Sequence, residues 1–155
     1  MADQDLINGL IATYRELNNR VRPLPEERLQ VRAGSPEGNA DEGGSVREVM
    51  SRLRDSELRF SQALKELITG VPMPEIFGAG DTPVLGTETP DDTTAMMLSQ
   101  FGTARESTLA MLRSLPAAEW DHSIEGGLSV RARIGQLYEN DRRRMERIVG
   151  LLGSP

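Results

Sequence analysis

His122 is the single histidine in 155 residues, and the chain has no cysteine. Thiolate nucleophiles, iron–sulfur clusters, Cys/His zinc sites and any centre needing two imidazoles are therefore excluded. What is left for chemistry is mainly oxygen and guanidinium: 24 acidic side chains and 18 basic ones, 17 of them arginine. The informative ones interrupt apolar helical stripes. With Val46 placed at zero and about 100° per residue, Glu57 falls at about 20°, among Val49, Met50, Leu53, Phe60 and Leu64, and Arg52 lies on the flank at about −120°. On a later helix, with Val130 at zero, Asp141 falls at about 20°, Arg144 at about −40° and Asn140 at about −80°. Glu57, Asp141 and Arg144 are thus predicted to enter the interior, with Arg52 and Asn140 at its margin. A buried charge requires a partner. Two arrangements satisfy this: an internal ion-pair network of Glu57 or Asp141 with Arg52 or Arg144, or a polar pocket whose arginine forks hold a small anionic or zwitterionic ligand.

Four amphipathic helices must position these residues, over about 3–20, 45–69, 91–115 and 129–152. Asp3 and Asp5 suit the start of the first. Ser45-Val46-Arg47-Glu48 is a capping box opening the second. Met97, Leu98, Phe101, Ala104, Thr108, Met111, Leu112 and Leu115 form the stripe of the third, which Pro116 ends. Ser129 caps the fourth. The same Ser-Val-Arg start opens the second and fourth helices, and Leu53 and Leu137 follow it at the same spacing. Breakers at Pro23, Pro25, Gly34-Ser35-Pro36 and Gly43-Gly44 mark a long connection after the first helix, and Val71–Pro90 marks another after the second. No β-alternation is present. The fold class is all-α: a single four-helix bundle domain over 1–155, with the first connection long enough to cross the bundle.

Composition narrows the setting. Net charge is −6, which argues against sequence-independent binding to nucleic acid. No apolar run reaches 18 residues, so no membrane span is expected. The N-terminus is acidic where a secretory signal is basic, and a cytoplasmic location is the expectation. From Ser129 onward six arginines face three acids, leaving −9 for the rest of the chain. Arg142, Arg143 and Arg147 point outward as a solvated face or a docking face for an acidic partner. Gly78-Ala79-Gly80-Asp81 follows no strand and is a poor phosphate loop. His122 reads as an ordinary loop histidine.

The run Ser45-Val46-Arg47-Glu48-Val49-Met50-Ser51-Arg52-Leu53-Arg54-Asp55-Ser56-Glu57-Leu58-Arg59 resembles the second helix of the DinB/YfiT-like superfamily. There a metal-binding histidine follows the apolar pair and precedes leucine, often with Asp-x-Glu after it. Leu137 to Ile148 resembles the fourth helix of that family, where H-x-x-x-H sets two ligands one turn apart. Trp120 before a Gly-containing loop fits the same pattern. The resemblance implies a four-helix bundle, often dimeric, whose members use zinc or nickel and in some cases act as thiol-dependent transferases or isomerases. Yet Arg52, Asn140 and Arg144 stand at the three ligand positions. The expectation is therefore a DinB-like protein without metal or other cofactor, more a binding protein than an enzyme, with an Arg-lined polar pocket in place of the metal site. A thiol-dependent transferase relative acting on a small anionic substrate and a dimeric interaction module are the alternatives. A homodimer and a small anionic ligand are the expected partners.

Overall fold

The computed structural model describes residues 3–32, 44–70, 92–123 and 127–153. It is all-α, and among these residues the only β-type pairing is an isolated bridge between Ser123 and Ser129. Four long helices are present: α1 (Asp3–Val21), α3 (Val46–Thr69), α4 (Thr94–Ser114) and α5 (Val130–Gly153). Between the first two lies a short helix, α2 (Glu26–Leu29), where the sequence reading expected only a polar connection, and a 3-10 turn (Ala117–Asp121) precedes α5. The third long helix begins at Thr94 and not near 91, because the Thr93 hydroxyl caps it by accepting from Met96 N–H. The Gly78–Asp81 stretch lies outside the described residues.

The remaining helix starts follow the local chemistry. Ser45 Oγ accepts from Glu48 N–H at 3.2 Å, and Glu48 Oε2 reaches back to Gly44 N–H, one residue earlier than in a standard capping box. Ser129 Oγ accepts from Ala132 N–H at 3.1 Å. Gly70 closes α3 in the left-handed region, with φ 68°, where a side chain would be strained. Ser45→Ala is expected to cost about 1 kcal/mol, read as a lower denaturation midpoint at unchanged helical content.

Helix directions follow from side-chain contacts. Arg131 bonds Asp3 at 2.9 Å, joining the first turns of α1 and α5, which therefore run parallel. Arg22 reaches Ser99 and Tyr14 stacks obliquely on Phe101, so the end of α1 meets the start of α4. Arg47 donates to the Asp92 carbonyl, joining the first turn of α3 to the lead-in of α4. Thus α3 and α4 run together, opposite to α1 and α5. The principal contacts are α1 with α4 and α5, and α3 with α4 and α5, which puts α1 and α3 on a diagonal. Thr69 and Thr94 consequently lie at opposite ends, separated by about 35 Å, the length of a 24-residue helix. This geometry explains why the sequence between α3 and α4 is long.

The short α2 has a positional role. Its Glu26 accepts from Thr94 N–H and Thr94 Oγ1, and from Arg47 at 3.0 Å, tying α2, α3 and the start of α4 together. Burial opposes the Glu26 charge, but donors on Gln30, Thr94 and Arg47 outweigh it and hold the carboxyl below its ordinary range.

The core has two apolar halves. One gathers Leu6, Leu10, Phe60, Leu64, Leu112, Trp120, Ile134 and Leu137. The other gathers Leu17, Val21, Leu29, Val49, Leu53, Met97, Phe101 and Ile148. The predicted stripes account for most of both, although Ile68, which helical periodicity also sets on the Val46 face, is 43% exposed in the last turn of α3. No helix of the described residues is long and apolar enough to cross a membrane.

Candidate functional site

Between the two halves lies a polar layer to which every long helix contributes. Thr13 comes from α1, Glu57 from α3, Arg105 and Thr108 from α4, and Asp141 from α5, and all are buried. Arg105 is at its centre with no exposed surface. Its Nη1 donates to Asp141 Oδ2 and to the Leu10 carbonyl, both at 2.9 Å. Its Nη2 donates to Glu57 Oε1 at 2.8 Å and to Asp141 Oδ1 at 3.2 Å. The Asp141 contact is a two-pronged fork, the strongest arrangement open to guanidinium and carboxylate. The Phe101 ring lies 4.8 Å below the guanidinium, one turn earlier on α4. Burial disfavours the Arg105 charge, but Glu57 and Asp141 more than offset this, so it is held even more firmly protonated than a free arginine. The Asp141 carboxyl is pushed above its ordinary range, chiefly by burial and further by Glu57, with Arg105 and Thr13 acting the other way.

The expectation that Glu57 and Asp141 face inward is met: they are 0% and 1% exposed. The cation that pairs with them is corrected. It is Arg105, not Arg52 or Arg144, because α4 lies against α3 and presents Arg105 level with Glu57. Arg144, expected inside, is only half-buried, and Arg52 and Asn140 are also at the half-buried margin. The Asn140 amide oxygen accepts from Arg143, which turns it outward. Arg142 and Arg143 are exposed as expected, whereas Arg147 is half-buried. His122 is exposed and pairs with Glu119 at 2.8 Å.

Sequence reasoning missed Arg105, although its signal was present. On the α4 wheel with Met97 at zero, Arg105 falls at roughly 80°, between Leu112 and Leu98. The helical wheel sets Arg105 on the apolar face of α4, as it sets Glu57 and Asp141 on theirs. Arg54 was missed in the same way: it is 3% exposed and bonds Asp55 at 3.1 Å and Gln100 at 2.9 Å.

Arg52 opens onto a different feature. A surface pocket of about 450 Å³ lies beside the first turns of α3, with Gln30, Arg32, Arg47, Ser51, Arg52 and Asp55 in its wall. Neither Asn140 nor Arg144 is among its described lining. The divalent metal implied by the family resemblance does not fit these residues. Two of the three positions are cations, the Asn140 oxygen is engaged by Arg143, and both inward carboxylates are bound to Arg105. Among the described residues no three His, Asp or Glu side chains converge as a metal site. Comparison with protein-family models, with curated proteins and with solved structures gives no match for this chain.

Proposed function

We propose that this chain is a DinB/YfiT-like helical protein that has given up the metal site and serves as a binding protein for a small anionic ligand. The observation that carries the reading is the pocket beside Arg52. Arg32, Arg47 and Arg52 place three guanidinium groups in a wall that also offers the Ser51 hydroxyl. Guanidinium forks recognise carboxylate and phosphate oxygens through paired hydrogen bonds. Glu48 bonds Arg32, and Glu26 bonds Arg47. Such pairing leaves the pocket near neutral and suits a ligand of low charge or a zwitterion better than a polyanion. The Arg105 network supports the same reading from inside, because it commits the inward carboxylates to a structural pairing. A cofactor would find no donor set at the three former ligand positions.

Two measurements test this. Elemental analysis of the purified chain is expected to show well under one equivalent of zinc or nickel. A full equivalent lost on Asn140→Ala would sink the reading. Calorimetric titration with succinate and with inorganic phosphate is expected to show saturable binding of at least one, weakened at least about tenfold by Arg52→Glu, which reverses a charge in the wall and costs at least about 1.4 kcal/mol of binding. No binding of either probe at millimolar concentration would remove the ligand-binding role.

A further inference from the structure

Formal charges in the polar layer do not balance. Arg105 contributes +1, and Glu57 and Asp141, if both ionised, contribute −2, all at 0–1% exposure. A net charge in so dry a setting is costly, and the usual outcome is that one group neutralises. The hydrogen bonding shows where compensation is thinnest. Glu57 Oε1 accepts from Arg105, but Glu57 Oε2 is buried with no hydrogen-bond partner. On α4 the Thr108 hydroxyl, one turn from Arg105, is likewise buried and without a partner. An ionised carboxylate oxygen with no donor, in a layer that also leaves a hydroxyl unused, is a poor arrangement.

Other charged groups stand around the cluster at one turn's remove. On α3, Arg54 lies one turn before Glu57 and is bound to Asp55 and Gln100. On α5, Arg144 lies one turn after Asp141 and is half-buried, with its Nε out of contact with solvent. On α1, Thr13 and the Leu10 carbonyl are not ionisable, and Tyr14 stacks against Phe101. On α4, Glu106 is exposed.

From this charge count and hydrogen-bond pattern we infer that the Glu57–Arg105–Asp141 cluster binds one proton in the folded chain at neutral pH, making the centre of the bundle a buried proton site. The upward displacement of the Asp141 carboxyl by burial and by Glu57 agrees with this. The proton belongs to the coupled pair and need not be assigned to either carboxyl. The sign of the pH effect follows. The folded chain holds a proton that the unfolded chain releases in the ordinary carboxylate range. This contribution to stability is therefore full at acidic pH and falls as pH rises through the folded cluster's titration. Because all four long helices meet here, loss of the proton loosens their shared contact. The cluster is thus a pH-sensitive element independent of the proposed anion pocket.

Carboxyl carbon NMR on the full chain tests the inference directly. At least one of the Glu57 and Asp141 resonances is expected to keep its protonated shift above about pH 6, assigned by its loss in Glu57→Gln or Asp141→Asn. Both resonances titrating below about pH 5 would overturn the proposal. A second readout is the denaturation midpoint between about pH 5 and pH 9. Wild type is expected to decline across this range beyond the trend common to the surface groups. Either Glu57→Gln or Asp141→Asn, whichever mimics the protonated carboxyl, is expected to fold at pH 7 with that excess slope removed. Equal slopes in wild type and in every amide variant that folds would count against the buried proton. If neither amide variant folds, the wild-type resonances decide, assigned through the through-bond correlations of each side chain.

Discussion

Arg105→Met is expected to destabilise the chain by about 3–5 kcal/mol, a large part of the 5–15 kcal/mol typical of a whole domain. Removing the guanidinium leaves the buried Glu57 and Asp141 carboxylates without their shared cation and strips the Leu10 carbonyl of its Arg105 donor. The cost comes mainly from stranding buried acceptors and charge, and less from losing an attractive contact. A second variant separates the two. Replacing all three residues together, Arg105→Met with Glu57→Leu and Asp141→Leu, removes both the charges and the need to pair them. That triple variant is expected to recover most of the loss and to match or exceed wild type by up to about 4 kcal/mol. Urea denaturation followed by circular dichroism measures both. A triple variant no more stable than Arg105→Met alone would mean that the network contributes shape-specific packing that leucine and methionine cannot supply.

Gly102→Ala is expected to destabilise by about 1–3 kcal/mol, although alanine is the better helix former. A Cβ at Gly102 would stand 2.3 Å from the Tyr14 hydroxyl oxygen and 2.4 Å from its ring carbon Cζ. To admit it the half-buried tyrosine ring must shift, disturbing its tilted contact with Phe101, whose ring centroid lies 6.0 Å away. Gly135→Ala provides the control. Gly135 lies within α5 and a Cβ there meets nothing within 4 Å, so the same substitution is expected to stabilise by roughly 0.5–1 kcal/mol. Opposite signs at two helical glycines test the packing itself. Tyr14→Leu should relieve much of the penalty in the Gly102→Ala background, and a double-mutant cycle would report that coupling. The α1–α5 interface repeats the device: a Cβ at Gly9 would stand 2.3 Å from the Tyr138 ring carbon Cε1.

These two predictions differ in how far the sequence anticipates them. The inward placement of Glu57 and Asp141 is readable from helical periodicity, because a helix fixes the angle of each side chain relative to its own stripe. The caps at Ser45 and Ser129 are equally local, since the bonded groups lie three residues apart. The choice of Arg105 as their partner is not local. It depends on α3 and α4 running in the same direction, with Glu57 level with Arg105, a register fixed by contacts 48 residues apart in the chain. The complementarity of Gly102 to Tyr14 depends in the same way on α1 running against α4. The family resemblance of the second and fourth helices directed attention to Arg52, Asn140 and Arg144. The described pocket takes up Arg52 and lies against α2 and α3, while Asn140 turns to its own helix neighbour Arg143.

By itself, the amino-acid sequence determines that this chain is all-α, where most of its long helices start and stop, which face of each is apolar, and that cysteine chemistry and any centre needing two histidines are closed to it. Those properties arise from interactions within one or two helical turns, where spacing along the chain equals spacing in space. Tertiary structure decides which buried charges meet, that Glu26 on a four-residue helix caps the start of α4, and which glycines are filled by a neighbour's ring. Each of these depends on the order, direction and register of helices, and the energy that sets them is shared among many long-range contacts, none of which leaves a mark on a single segment.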